Sequence, residues 1–152
     1  PDEAQEFIDA YFASFPQIRE YLDRQVARAA AEGFTETLLG RRRYIPELHA
    51  ANPRVRDMGR RMALNAPIQG SAADVFKLGM LRVDEALRES SFECRMLLTV
   101  HDELVFEVAK DRVEEAAEVV KKQMESAYEL TVPLRADIGW GPNWAQAVPA
   151  GH

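Results

Sequence analysis

Two apolar, β-prone runs, Met96–Val100 and Leu104–Val108, are separated only by His101, Asp102 and Glu103. A connector this short makes the runs pair antiparallel, because a parallel crossover needs about a dozen residues or more. The hairpin this predicts, bounded at about 95–108, constrains the rest of the chain, which must pack against a small antiparallel sheet. Its turn chemistry is poor. A two-residue hairpin turn prefers Asn-Gly, Asp-Gly or another glycine-containing pair, because positive φ is required. Here an imidazole and two carboxylates stand between strongly apolar strands. A local rule broken once in an otherwise consistent segment marks a functional or strained site.

The other segments read as follows. Phe7, Ile8, Tyr11, Phe12 and Phe15 recur at helical spacing. Pro16 interrupts them and suits the first turn of a second helix, which Ile18, Tyr21, Leu22, Val26 and Ala29 carry to about Glu32, with Gly33 as its cap. Phe34–Ile45 predicts a hairpin punctuated by Gly40, with Arg41, Arg42 and Arg43 at the turn or on the second strand, and Pro46 ends it. Residues 53–65 predict a helix. Pro67 lacks an N–H and its ring clashes with the previous turn, so a break is expected there, followed by a second helix from Gly70 to Glu89. Its apolar stripe is Ala72, Val75, Leu78, Gly79, Val83, Ala86 and Leu87.

Residues 110–128 predict an amphipathic helix buried through Val113, Ala116, Ala117, Val120, Met124 and Ala127. A last strand is expected over Leu134–Ile138, with Trp144 capping the core. The sum is an α+β fold, helices on one face of a small antiparallel sheet. It is a single domain of 152 residues: helices at 1–33, a basic hairpin at 34–46, and 53–152 around the acidic hairpin.

The net charge of -6 argues against a nucleic-acid binder, but its distribution does not. Residues 33–65 carry seven arginines against Glu36, Glu47 and Asp57, a local +4. Such an island either docks a polyanion or is a solvated basic loop. Cys94 is the sole cysteine, so no internal disulfide can form. There is no leader-like start, and no apolar run approaches the roughly 20 residues of a membrane span. A soluble cytoplasmic protein is expected.

Adjacent carboxylates at a turn suit a hard cation such as Mg²⁺, which takes one or two protein carboxylates plus substrate phosphates, or else they form a solvated polar loop. Arg61, Asn65 and Gln69, spaced by four, share one helix face approximately, given Pro67. That face either reads minor-groove acceptors or is a solvent-facing polar stripe.

Three stretches resemble the bacterial family A DNA polymerases. Leu98–Glu107 (LTVHDELVFE) is similar to the family's acidic palm hairpin, Arg60–Asp74 (RRMALNAPIQGSAAD) to the stretch leading into the palm helix beside it, and Gly40–Pro46 (GRRRYIP) to its basic loop. The likeness extends over essentially the whole chain, from residues 5–46 through Asp137–Trp144 (DIGWGPNW) to His152. It implies that Asp102 ligates the catalytic metals, with Glu103 as an auxiliary acid and His101 at the primer terminus. It implies that Arg61, Asn65 and Gln69 follow the minor groove and that Arg41, Arg42 and Arg43 bind phosphates; Asp74, although within the motif, is read as structural, bonding a helix terminus. The implied cofactor is a Mg²⁺ pair; the implied partners are primer–template DNA and a deoxynucleoside triphosphate, at the nucleoid.

No Asp-Tyr-Ser-like strand and no Arg-x-x-x-Lys-x-x-x-Phe-like fingers helix is present. The chain therefore reads as a fragment, lacking an N-terminal part and inactive by itself. Two alternatives are a non-catalytic nucleic-acid-binding module and a metal-dependent phosphodiesterase using His101, Asp102 and Glu103. The second lacks a second ligand cluster.

Overall fold

A computed structural model of the protein describes residues 2–149. His152 lies outside them. The chain divides into two compact units, residues 1–72 and 73–152.

The first unit contains α1 (Asp2–Ser14), α2 (Pro16–Glu32), β1 (Phe34–Glu36), β2 (Arg42–Tyr44), a 3-10 turn at Pro46–His49 and the start of α3 (Pro53–Arg88). Pro16 opens α2, where its missing N–H costs no hydrogen bond. Gly33 closes it at φ 81°, a left-handed conformation open to glycine, and donates to the Ala29 carbonyl at 2.8 Å. β1 and β2 pair antiparallel, with Phe34 opposite Tyr44 and Glu36 opposite Arg42. Their turn is closed by the Gly40 N–H on the Thr37 carbonyl at 3.0 Å.

The core of this unit is small: Ile45, fully buried, with Ala29 and Ala63, flanked by Val26, Leu48 and Met62. The apolar residues of α1 keep their helical spacing but do not join it. Phe7 is 79% exposed, and Ile8, Tyr11 and, just past the helix, Phe15 are also exposed.

The expected break at Pro67 does not occur. α3 runs without interruption from Pro53 to Arg88 with Pro67 inside it. The proline forfeits the bond its N–H would give the Ala63 carbonyl. Ala63, Ala66 and Pro67 are all buried, so tertiary packing outweighs the local preference.

The second unit contains the rest of α3, then β3 (Cys94–Val100), β4 (Glu103–Val108), a 3-10 turn at Lys110–Arg112, α4 (Val113–Glu125), β5 (Gly139–Trp140) and β6 (Val148–Pro149). Val83, Leu87 and Val120 form its core, with Phe92, Met96 and Phe106 against them. Of the expected stripe, Ala116 and Val120 are buried in α4 and Ala127 just beyond its end, while Val113, Ala117 and Met124 are half-buried.

The strand expected over Leu134–Ile138 is absent. Pro133 supplies no donor, and the Ala136 N–H is taken by Glu125 Oε1 at 3.1 Å instead of a neighbouring strand. Ile138 still packs on the core, while pairing begins at Gly139, opposite Pro149. Trp144 does not cap the core; it is 53% exposed in a 3-10 turn. The α+β class holds, but the described strands form three separate two-stranded antiparallel ladders. Among the described residues no helix is long and apolar enough to cross a membrane.

Candidate nucleic-acid interface and acidic hairpin

In the acidic hairpin, Val100 pairs with Glu103, which leaves His101 and Asp102 as a two-residue loop. His101 has φ 54°, the one positive φ outside glycine among the described residues. Positive φ at the first central residue alone is the pattern of a II′ turn, which ordinarily places glycine there. Thr99 Oγ1 donates to the Glu103 carbonyl at 3.1 Å and braces the tip. A register shift between Met96 and Leu98 leaves Leu97 as an extra residue. A bulge of this kind re-aims the distal strand. Met96 and Phe106 pack on the core, whereas Leu97 and Leu98 are both exposed.

His101, Asp102 and Glu103 are all exposed. Among the described residues no group of three or more His, Cys, Asp or Glu side chains gathers as a metal cage. Two adjacent carboxylates fit a Mg²⁺ ion that keeps waters and phosphates in its shell, and do not fit a site made of protein ligands alone. The Cys94 thiol is pushed above its usual range by burial, so it is no ready nucleophile.

Arg61, Asn65 and Gln69 lie in the first unit, each exposed on the uninterrupted α3. At 100° per residue they fall within a sector of about 80°, spread over about 12 Å of helix. The face is thus more regular than a break at Pro67 would allow.

The three hairpin arginines, in the same unit, have different surroundings. Arg42 is held by Glu36 at 2.8 Å and lies over the Phe34 ring, 4.5 Å from its centroid. Arg28 approaches the same carboxylate at 3.2 Å. The hydrogen bond from Arg42 holds the Glu36 carboxyl below its usual range, and Glu36 in turn raises Arg42. Arg41 donates from its backbone to Thr37 Oγ1 at 3.1 Å and from its guanidinium to the Gly70 carbonyl at 3.1 Å. Arg43 makes no ion pair among the described residues and is exposed.

Sequence reasoning missed Gly70 and Ser71, which anchor this hairpin on α3. The available signal was a glycine and a serine, both poor helix formers, inside a helical run. Asp74 is buried in the second unit, in keeping with a structural role.

The profile of DNA polymerase family A matches residues 1–146. The chain belongs to that family. Its relatives include DNA polymerase I of Mycobacterium tuberculosis H37Rv, 51% identical over 96% of this chain and 16% of the relative. The DNA polymerase I of Pseudomonas aeruginosa PAO1 is 48% identical over 95% of this chain and 16% of its own length. The thermostable DNA polymerase I of Thermus aquaticus is 46% identical over 96% of this chain and 17% of its own length. The chain thus spans about one sixth of these family A enzymes. The polymerase domain of Pol1 from M. smegmatis, solved in complex with DNA primer–template and dNTP, superposes with a TM-score of 0.92 and 46% identity, covering 96% of this chain and 26% of that one.

Proposed function

We propose that this chain forms part of the polymerising centre of a DNA-directed DNA polymerase. Asp102 and Glu103 contribute carboxylates to a two-metal Mg²⁺ site, and the arginine hairpin with Arg61, Asn65 and Gln69 grips primer–template DNA. The observation that carries this reading is the acidic tip: a chain of this family holds His101 at φ 54° and so presents two exposed carboxylates at a turn. Asp102 and Glu103 would help hold the metal pair, which would supply activation of the attacking oxygen and neutralisation of charge on the transferring phosphate.

The remaining steps belong to this chain's own groups. His101 meets the primer terminus. Arg61, Asn65 and Gln69 donate to the N3 and O2 acceptors that every base pair offers in the minor groove, so they sense pair shape and not sequence. Arg41 and Arg43 contact backbone phosphates, which position a duplex without reading it. Arg42, paired with Glu36, serves mainly to stiffen the hairpin.

In this reading residues 1–33 follow the fingers, 34–46 form the phosphate loop and 53–152 belong to the palm. The rest of the polymerase supplies a second aspartate and the helix that binds the incoming triphosphate. The setting is replication and repair at the cytoplasmic nucleoid. The M. smegmatis neighbour, a complex with primer–template and dNTP, supports DNA and dNTP as partners.

The test is a chimera in which residues 1–146 replace their counterparts in the M. tuberculosis enzyme. It is expected to extend a primer, and Asp102→Ala is expected to cut extension by about 100- to 1000-fold, the scale of one preorganised electrostatic contact. An active chimera indifferent to Asp102→Ala would refute the metal role.

A further inference from the structure

The turn of the arginine hairpin is tied to α3 by three features. Ser71 lies two residues beyond Gln69. Its hydroxyl donates to the Pro67 carbonyl at 2.5 Å and accepts the Leu38 N–H at 2.9 Å. The backbone donor of an exposed turn, ordinarily left to water, is thereby held by a side chain from a helix. The adjacent Gly70 carbonyl receives the Arg41 guanidinium at 3.1 Å. Gly70 also allows the approach itself, since a Cβ there would fall 2.6 Å from Thr37 Cγ2. A serine inside a helix that bonds back to the carbonyl four residues earlier is slightly unfavourable by itself. The bond to Leu38 gives that hydroxyl a purpose.

We propose that Ser71 is a positioning residue for DNA: it fixes the hairpin turn on α3 so that Arg41 meets a phosphate of the same duplex whose minor groove faces Arg61, Asn65 and Gln69. This rests on the DNA contacts proposed above. The arginine fork is rigid and directional, so its contact with a phosphate depends on where its base is anchored. Without the anchor, Arg41 must be ordered at the moment of binding.

The experiment measures binding of a fluorescein-labelled primer–template duplex to the 152-residue chain over a salt series. Ser71→Ala is expected to weaken binding about five- to tenfold and to flatten the plot of log K against log salt by about one, as for the loss of one phosphate contact. Ser71→Thr keeps the hydroxyl and should restore both. In an Arg41→Ala background, Ser71→Ala should add less than about a twofold loss, because the two act through one contact. Leu38→Pro removes the N–H, at a turn position where proline is tolerated and where the leucine side chain is 57% exposed, and should reproduce the Ser71→Ala loss even where Ser71→Ala itself fails to fold. If Arg41→Ala weakens binding while Ser71→Ala and Leu38→Pro do not, the positioning role falls and the DNA contacts stand. If Arg41→Ala, Arg43→Ala and Arg61→Ala all leave binding unchanged, the DNA contacts fall and the positioning role with them.

Discussion

His101 sits in a conformation that costs an L-residue roughly 1–2 kcal/mol relative to glycine, at φ 54°. Such strain persists where surrounding structure over-determines it, here the apolar strands and the Thr99 brace. His101→Gly should therefore raise stability by about 1 kcal/mol in chemical denaturation, and in the chimera it should lower primer extension. A drop in stability would show that the tip is not strained. Glu36 gives a second residue-scale prediction. Its carboxyl titrates below the usual range because of the Arg42 hydrogen bond. The unfolded chain then binds the proton more readily, so this contribution is present above the ordinary carboxylate range and is lost as pH falls through and below it. Acid unfolding of Glu36→Gln should be less steep than that of the parent between about pH 5 and pH 3; identical curves would remove Glu36 as a contributor. The strained tip was legible in the sequence because His-Asp is wrong for the turn it must make. The capture of Arg42 was not, since Glu36 faces it only through the register of β1 and β2.

Among the elements, α3 departs most from its local sequence. Proline and glycine both disfavour helix, yet α3 contains Pro67, Gly59, Gly70 and Gly79. Pattern reading treats each residue against its neighbours in the chain and so predicts a break at Pro67, whereas Ala63 clusters with Ala29 and Ile45, remote in sequence, and Ala66 and Pro67 are buried beside it on the same helix. The same limit explains the strand expected at Leu134–Ile138: its alternation reflects Ile138 on the core, and no described strand pairs with it. The glycines separate by what a side chain would strike. At Gly59 a Cβ would lie 2.8 Å from the Leu48 backbone nitrogen and 3.0 Å from the Glu47 carbonyl carbon. At Gly79 it would meet the Met124 sulfur at 2.7 Å, the flexible end of a side chain. Alanine gains up to about 1 kcal/mol of helix propensity at either site. Gly59→Ala should nonetheless destabilise by about 1–3 kcal/mol, since backbone cannot move aside cheaply. Gly79→Ala should be neutral within about 1 kcal/mol once Met124 changes rotamer. Denaturation midpoints of the two variants check the ordering, and a Gly59→Ala protein as stable as the parent would contradict it.

For the whole molecule, charge separates along the boundary of the units. Residues 1–72 carry ten basic and ten acidic side chains, and residues 73–152 carry nine and fifteen, so the net -6 belongs to the second unit. The first unit is neutral with a concentrated arginine island, and the second is acidic and holds Asp102 and Glu103. The proposed reading accordingly assigns DNA affinity to the first unit and cation binding to the second. Phosphate contacts by two or three arginines should give a slope of log K against log salt of about -2 to -3, at roughly 0.9 per phosphate. The proposed two-metal chemistry asks for ligands beyond Asp102 and Glu103. Mg²⁺ dehydrates reluctantly and demands near-octahedral geometry, so two adjacent exposed carboxylates hold it weakly without further ligands, and no larger cluster gathers among the described residues. The purified chain should bind primer–template at low salt with that slope and yet extend no primer when Mg²⁺ and all four deoxynucleoside triphosphates are supplied. Templated extension by the chain that disappears in Asp102→Ala would mean that the carboxylates of this hairpin suffice, and would overturn the requirement for a partner aspartate.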